Sequence, residues 1–277
     1  MHDAYRHCEA LVREADHDRF LASLFAPADR RPRLHALHAF NLEIARVGQI
    51  AREALAGEIR LQWWRDALAG RQHGEVNANP VAAALLDTIV CCALPSAPLQ
   101  DLIDARARDL YAEPIDTLAA LETFGQQTAA TLFELAARIL DRRAAVGDVA
   151  APAGAAYALA GLLQAFPQHA ARGRIYVPIE VLGRHGVRAE EVTAATAGAR
   201  VKPALAEIAG VARRHLAAVR GRWGEVPPAI GPAFLPLALV EPLLARIERN
   251  PDPFRPIEIA PWRRQWALWR AARRGVV

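Results

Sequence analysis

Residues 171–187 read ARGRIYVPIEVLGRHGV, and the reading of the whole chain turns on them. Gly173, Pro178, Gly183 and Gly186 interrupt any long helix here, because proline removes a backbone donor and glycine weakens helical order. Ile175, Val177, Ile179, Val181 and Leu182 are nevertheless too apolar to be left in water. The stretch from Gln168 to Glu191 is therefore read as a structured loop rather than a linker. Outward from it in both directions, apolar residues recur at spacings of three and four, the period of a helix with one buried face. This spacing predicts helices over 3–15, 17–26, 30–52, 57–72, 80–94, 97–111, 116–140, 147–166, 198–222, 232–248 and 261–274. Asn79 before Pro80 marks a start, since asparagine caps free amides and proline has none to waste, and Ser96 and Thr117 are expected to cap in the same way.

Composition agrees with helix. The 277 residues include 60 alanines, and all but one of the 34 basic residues are arginine, Lys202 being the exception. Alanine and arginine are strong helix formers, and 53% hydrophobic residues give ample mass for a core. No low-complexity spacer divides the chain, so residues 1–260 are read as one all-α domain and 261–277 as a basic, Trp-rich helix appended to it. Solenoid periods are absent and simple bundles are smaller, which leaves a multi-helix barrel around a central cavity. Three cysteines, Cys8, Cys91 and Cys92, form neither a disulfide framework nor a metal motif and point to a reducing compartment. The charged N-terminus lacks the apolar core of a signal peptide, and no uncharged apolar run reaches about 18 residues. These features give a cytoplasmic protein, at most peripheral to the inner membrane. A net charge of +4 and 6% aromatic residues argue against nucleic acid as a partner.

Three segments taken in order, RFLASLFAPADRRPRLHALHAFNLEIARV at 19–47, RLQWWRDAL at 60–68 and ARGRIYVPIEVLGRHGV at 171–187, resemble the squalene and phytoene synthase family. The resemblance implies the all-α isoprenoid synthase fold. It also implies a chemistry that joins two isoprenyl diphosphates head to head, with Mg²⁺ held between two aspartate-rich helix segments. Mg²⁺ wants oxygen ligands, and carboxylates three or four apart share one helix face, so such motifs suit the task. The family's first motif falls here on Ala45, Arg46 and Gln49, and its second on Ala165 and His169. No two aspartates in the chain are adjacent or four apart. Within ETFGQQTAATL, 122–132, Gln126 and Gln127 stand where the family has an aromatic residue and an arginine. The reading is of no catalytic residues, no metal ligands and no cofactor, Mg²⁺ entering only if the chain is an active prenyl transferase with unusual ligands.

Among remaining acids, Asp101 and Asp104 share a helix, and the plain reading is an exposed face with an Asp104–Arg108 pair. His35, His38, His185 and His215 form no recognisable arrangement with a nucleophile, and Trp63 and Trp64 read as packing residues. Ala39-Phe40-Asn41-Leu42-Glu43-Ile44-Ala45, together with Gln62-Trp63, is most similar to a divergent branch of the family that contains complex I assembly factors. Membership there implies a pseudoenzyme, with a respiratory-complex subunit as partner and an apolar or prenyl lipid in the cavity.

The resemblance places four residues at the ligand end: Ser23 in the opening segment, and Arg172, Arg174 and Tyr176 in the loop that closes over the diphosphate. Two roles stay open for the loop residues: contact with a phosphate or lipid head group, or hydrogen bonds that tie the loop to its neighbours. The C-terminal helix also leaves two readings. Trp262, Trp266 and Trp269 share a face beside Arg263, Arg264, Arg270, Arg273 and Arg274, which suits a membrane interface. The same stripe would equally serve to pack the helix onto the domain.

Overall fold

In the computed structural model, residues 1–50, 53–71, 76–111, 113–143, 146–275 and 277 are described, the side chains at 49, 50, 77 and 147 excepted. Among them there are helices and no strands. The helices in chain order are α1 (His2–Ala15), α2 (His17–Ser23), α3 (Arg31–Ile50), α4 (Ala54–Leu68), α5 (Pro80–Cys92), α6 (Ala97–Ala107), α7 (Leu118–Gly125) and α8 (Thr131–Leu140). They continue as α9 (Ala150–Gln164), α10 (Phe166–Ala171), α11 (Ile179–Arg184), α12 (Ala189–Thr193), α13 (Lys202–Gly221), α14 (Gly231–Phe234), α15 (Val240–Arg249) and α16 (Pro261–Arg274). The expected helix ends at 52 and 72 lie outside the described residues.

The caps explain several boundaries. Asn79 Oδ1 accepts from the amides of Val81 at 2.9 Å and Ala82 at 3.1 Å, and Thr117 Oγ1 accepts from Ala120 at 3.1 Å. Ser96 does not cap with its side chain, a correction to the sequence reading, because it has helical backbone itself. Three expected helices are also interrupted, the one over 232–248 by a 3-10 segment at Leu235–Leu239 between α14 and α15. The one over 97–111 ends at Ala107, and a 3-10 turn from Arg108 to Leu110 follows. The one over 116–140 carries a π-helical turn at Gln126–Ala130.

That turn faces α9, the helix at the centre of the domain. Ala153, Gly154, Ala155, Ala156, Leu159, Ala160 and Leu163 of α9 are buried, and small side chains let neighbouring backbones come close. At Gly154 a methyl group would lie 2.6 Å from Ala130 Cα. Around this contact α3 supplies Leu34, Leu37, Phe40 and Ile44 and α8 supplies Phe133, which stacks on Phe234 at 5.2 Å. The apolar stretch Pro228–Arg249 is long enough to cross a membrane, yet more than half of its apolar window is buried inside this domain.

The C-terminal helix α16 docks through Leu268 and Ala271, buried with Ala22, Leu235 and Leu239. Arg264 pairs with Asp18 at 2.5 Å, and Val277 O accepts from Arg220 Nε at 2.9 Å. The Trp stripe does not make this contact. Trp262, Trp266 and Trp269 are 63%, 55% and 41% exposed, so packing uses the opposite face.

Candidate functional site

The end of α3, the turn after α6 and the loop after α10 meet at Asp109. Because α6 gives way to a 3-10 turn, the Asp109 side chain is carried inward and is only 8% exposed. Tyr176 Oη donates to Asp109 Oδ1 at 2.7 Å, and Arg106 pairs with Oδ2 at 3.5 Å. Arg174 donates through Nη1 to the Asp109 carbonyl and through Nη2 to the Gly48 carbonyl at 2.7 Å. Gly48 makes this approach possible, since a methyl group there would lie 2.9 Å from Asp109 Cβ. Burial, then the Asp109 charge and its hydrogen bond, push the Tyr176 hydroxyl far above its ordinary range, so it stays protonated as a donor.

The loop is fastened at its other end too. The amides of Ile179 and Glu180 donate to the carbonyls of Ile115 at 2.9 Å and Asp116 at 3.1 Å, and the Glu180 carboxylate accepts from the Leu118 amide at 2.6 Å. Of the loop residues, Arg174 and Tyr176 therefore turn into the protein, whereas Arg172 is exposed and its guanidinium has no hydrogen-bond or ion-pair partner among the described residues. The pocket beside Arg108, Asp109, Glu113, Arg174 and Tyr176 encloses about 10 Å³, room for about one water.

Of the positions matched to the metal motifs, His169 touches this network. Ala45 and Arg46 are on α3, and the Gln49 side chain lies outside the described residues. Ala165 joins α9 to α10, and His169 of α10 packs its ring on Tyr176 with centroids 4.5 Å apart. His169 Nδ1 is buried without a hydrogen-bond partner, and burial lowers its pKa to about 4. Among the described residues no three His, Cys, Asp or Glu side chains are grouped as a metal ion would need.

Ser23 is held elsewhere. No residue lines both its pocket and the one at Asp109, and its surroundings are Arg19, His38 and Phe133. Ser23 Oγ donates to the Phe20 carbonyl at 2.6 Å and lies 2.8 Å from His35 Nε2. The pairing resembles a nucleophile and its base, but the hydroxyl proton is committed to Phe20. His35 Nδ1 has no orienting partner, and the group is buried. The Asp104–Arg108 pair expected from the sequence is replaced by a contact between Asp104 and Arg65 of α4 at 2.7 Å, while Arg108 lies over Phe124.

These buried imidazoles predict an acid-sensitive fold. Burial lowers His35 and His169 to about 4 and His38 well below its ordinary value. As pH falls below about 6.5 the unfolded chain takes up protons that the folded chain refuses, so stability is full above that pH and declines toward about 4. His35 and His169 each withdraw up to about 3 kcal/mol over this window. Urea midpoints should drop between pH 7 and 5, where carboxylates remain ionised; a flat profile there would contradict the burial of neutral histidines.

Comparison with known proteins places this geometry in a family. The squalene/phytoene synthase family model matches residues 12–270, and the chain belongs to that family. It is 30% identical over 248 residues to the Rattus norvegicus NADH dehydrogenase (ubiquinone) complex I, assembly factor 6, covering 89% of this chain and 74% of the relative. Among solved structures, squalene synthase HpnC from Alicyclobacillus acidocaldarius superposes with a TM-score of 0.72 at 26% identity, covering 92% of this chain and 96% of that one. A dehydrosqualene synthase in complex with ligand has a TM-score of 0.82 at 17% identity, covering 99% and 96% of the two chains, and shares the fold. The expected all-α isoprenoid synthase architecture is thereby established.

Proposed function

We infer that this chain is a non-catalytic member of the family that serves in the assembly of respiratory complex I at the membrane holding that complex. The observation that carries the reading is the network at Asp109. Arg174 and Tyr176, which the family resemblance assigns to the diphosphate end, are engaged with Gly48 and Asp109. The five positions matched to metal ligands are Ala45, Arg46, Gln49, Ala165 and His169, and none of them supplies a carboxylate. Likeness to the rat assembly factor over most of the chain supports the same reading. The exposed Arg172 is left for an anion contact, and the α16 face for a lipid surface. An apolar pocket of about 210 Å³ between α9, α13 and α15, lined by Leu163, Leu205, Ile247 and Ile257, suits the end of an apolar chain.

Incubation of the purified chain with farnesyl or geranylgeranyl diphosphate and Mg²⁺ should give no coupled product. Deleting the gene in its host should reduce assembled complex I, and re-expression should restore it. Formation of a C30 or C40 hydrocarbon product at enzymatic rates would overturn the non-catalytic reading. It would favour the synthase alternative, to which the likeness to HpnC lends weight.

A further inference from the structure

A cavity of about 350 Å³ opens between α3, α4 and the start of α5, and it shares no lining residue with the pocket at Asp109. Its size is within the range of about 300 to 1,000 Å³ that small-molecule sites occupy. Arg46 and Arg60 line it, and among the described residues neither guanidinium has a hydrogen-bond or ion-pair partner. Several other arginines are engaged: Arg19 with Asp16, Arg65 with Asp104, Arg174 with two carbonyls, Arg213 with Glu241 and Glu248, and Arg264 with Asp18. Asn79 lines the cavity too. Its Oδ1 is used in capping α5, which leaves its NH₂ as a donor and brings the positive end of a 13-residue helix to the same space. Trp63 and Val47 add an apolar wall, Trp63 being braced edge-on against the buried Trp64 at 5.0 Å. Among the described residues that line it, the one carboxylate is Glu43, three residues before Arg46.

The geometry points to a site in which Arg46 and Arg60 bind the phosphate of an amphiphilic phosphate ester directly, with no divalent cation between them. Two guanidinium forks match phosphate oxygens, the helix end favours negative charge, and the Trp63 wall receives the apolar part of the ester. A dianion outweighs the opposing Glu43, which sets the selectivity: a group of lower charge gains less from the arginines and is penalised less by the acid. A soluble phosphate ester and a phospholipid head group share this chemistry. The site uses no side chain of the Asp109 network and does not depend on the assembly reading.

Calorimetric titration of the full chain in EDTA tests it, with phenyl phosphate, inorganic phosphate and dihexanoyl phosphatidic acid as probes. Saturable 1:1 binding of phenyl phosphate, tighter than inorganic phosphate, is expected; tighter binding still of the phosphatidic acid identifies a lipid source. Arg46→Gln and Arg60→Gln should each weaken binding about tenfold or more, as loss of a charge-assisted hydrogen bond does. Glu43→Gln should tighten it, a change of opposite sign that a merely structural role would not produce, and Trp63→Leu should erase the preference for phenyl phosphate. Arg46→Lys keeps the charge without the fork and should fall between the wild type and Arg46→Gln, and thermal melts of every variant confirm that it is folded. Absence of saturable binding, unchanged affinity in the Arg46→Gln/Arg60→Gln double variant, or a requirement for Mg²⁺ would each overturn the proposal.

Discussion

Gly154→Ala is expected to destabilise the protein by about 3 kcal/mol, at the upper end of what overpacking a core produces. Alanine is the better helix former by roughly 1 kcal/mol, so intrinsic propensity alone predicts the opposite sign. Tertiary contact decides the matter. The added methyl group would lie 2.6 Å from both Ala130 Cα and Ala130 Cβ, and the backbone of the π-helical turn cannot rotate away as a flexible side chain could. Gly161, two turns further along α9, is the control: nothing lies within 4 Å of a methyl group there, and Gly161→Ala should stabilise by up to about 1 kcal/mol. Chemical denaturation of the two variants measures both. If the two shift stability in the same direction, close approach at Gly154 is not what shapes the turn.

Replacing Trp262, Trp266 and Trp269 together by serine should abolish binding to vesicles containing anionic lipid while leaving the fold intact. The three side chains stand on the outer face of α16, with Trp266 and Trp269 stacked at 4.9 Å and Arg263 and Arg273 lying over Trp262 and Trp269. Each tryptophan would bury on the order of 100 Å² of apolar surface at a bilayer interface, about 2.5 kcal/mol. Losing all three therefore lowers partitioning by more than about a thousandfold. Exposed arginines add about 1 kcal/mol each near an anionic surface, so high salt should weaken the wild type as well. Deleting 261–277 is the poorer experiment. It would uncover Ala22, Leu235 and Leu239 and strip Asp18 of Arg264, confounding binding with stability. Sedimentation of the triple variant with vesicles as efficiently as the wild type would refute a lipid-facing role for this helix.

Much of the architecture was legible because a local period produces it. Spacings of three and four gave most of the long helices, and Asn79 and Thr117 cap where a short polar side chain was expected to. Gly173 and Pro178 marked a loop that is followed by main-chain bonds to Ile115 and Asp116, but the loop expected over Gln168–Glu191 is shorter, since α11 (Ile179–Arg184) includes Gly183 and α10 and α12 take its ends. The absence of acids at all five of the family's metal positions needed only an ordered count. What escaped was set by partners distant in sequence. Asp109 falls near the end of the helix expected over 97–111, and only the turn at 108–110 carries it beneath Tyr176, 67 residues away. Asp104 has a good local partner in Arg108, yet Arg65 from α4 takes it. Ser23 and His35 lie 12 residues apart across a turn, and no helical period relates them.

The last helix separates the two kinds of information. Its sequence determined an α-helix with two apolar faces, Trp262, Trp266 and Trp269 on one and Leu268 and Ala271 on the other, since a rotation of about 100° per residue puts these sets on opposite sides. By itself it did not say which face meets the protein, because both are apolar enough to bury. The tertiary structure decided for the smaller set. Leucine and alanine let α16 settle closely against Ala22, Leu235 and Leu239 with Arg264 pinned to Asp18, and this leaves the tryptophans outward.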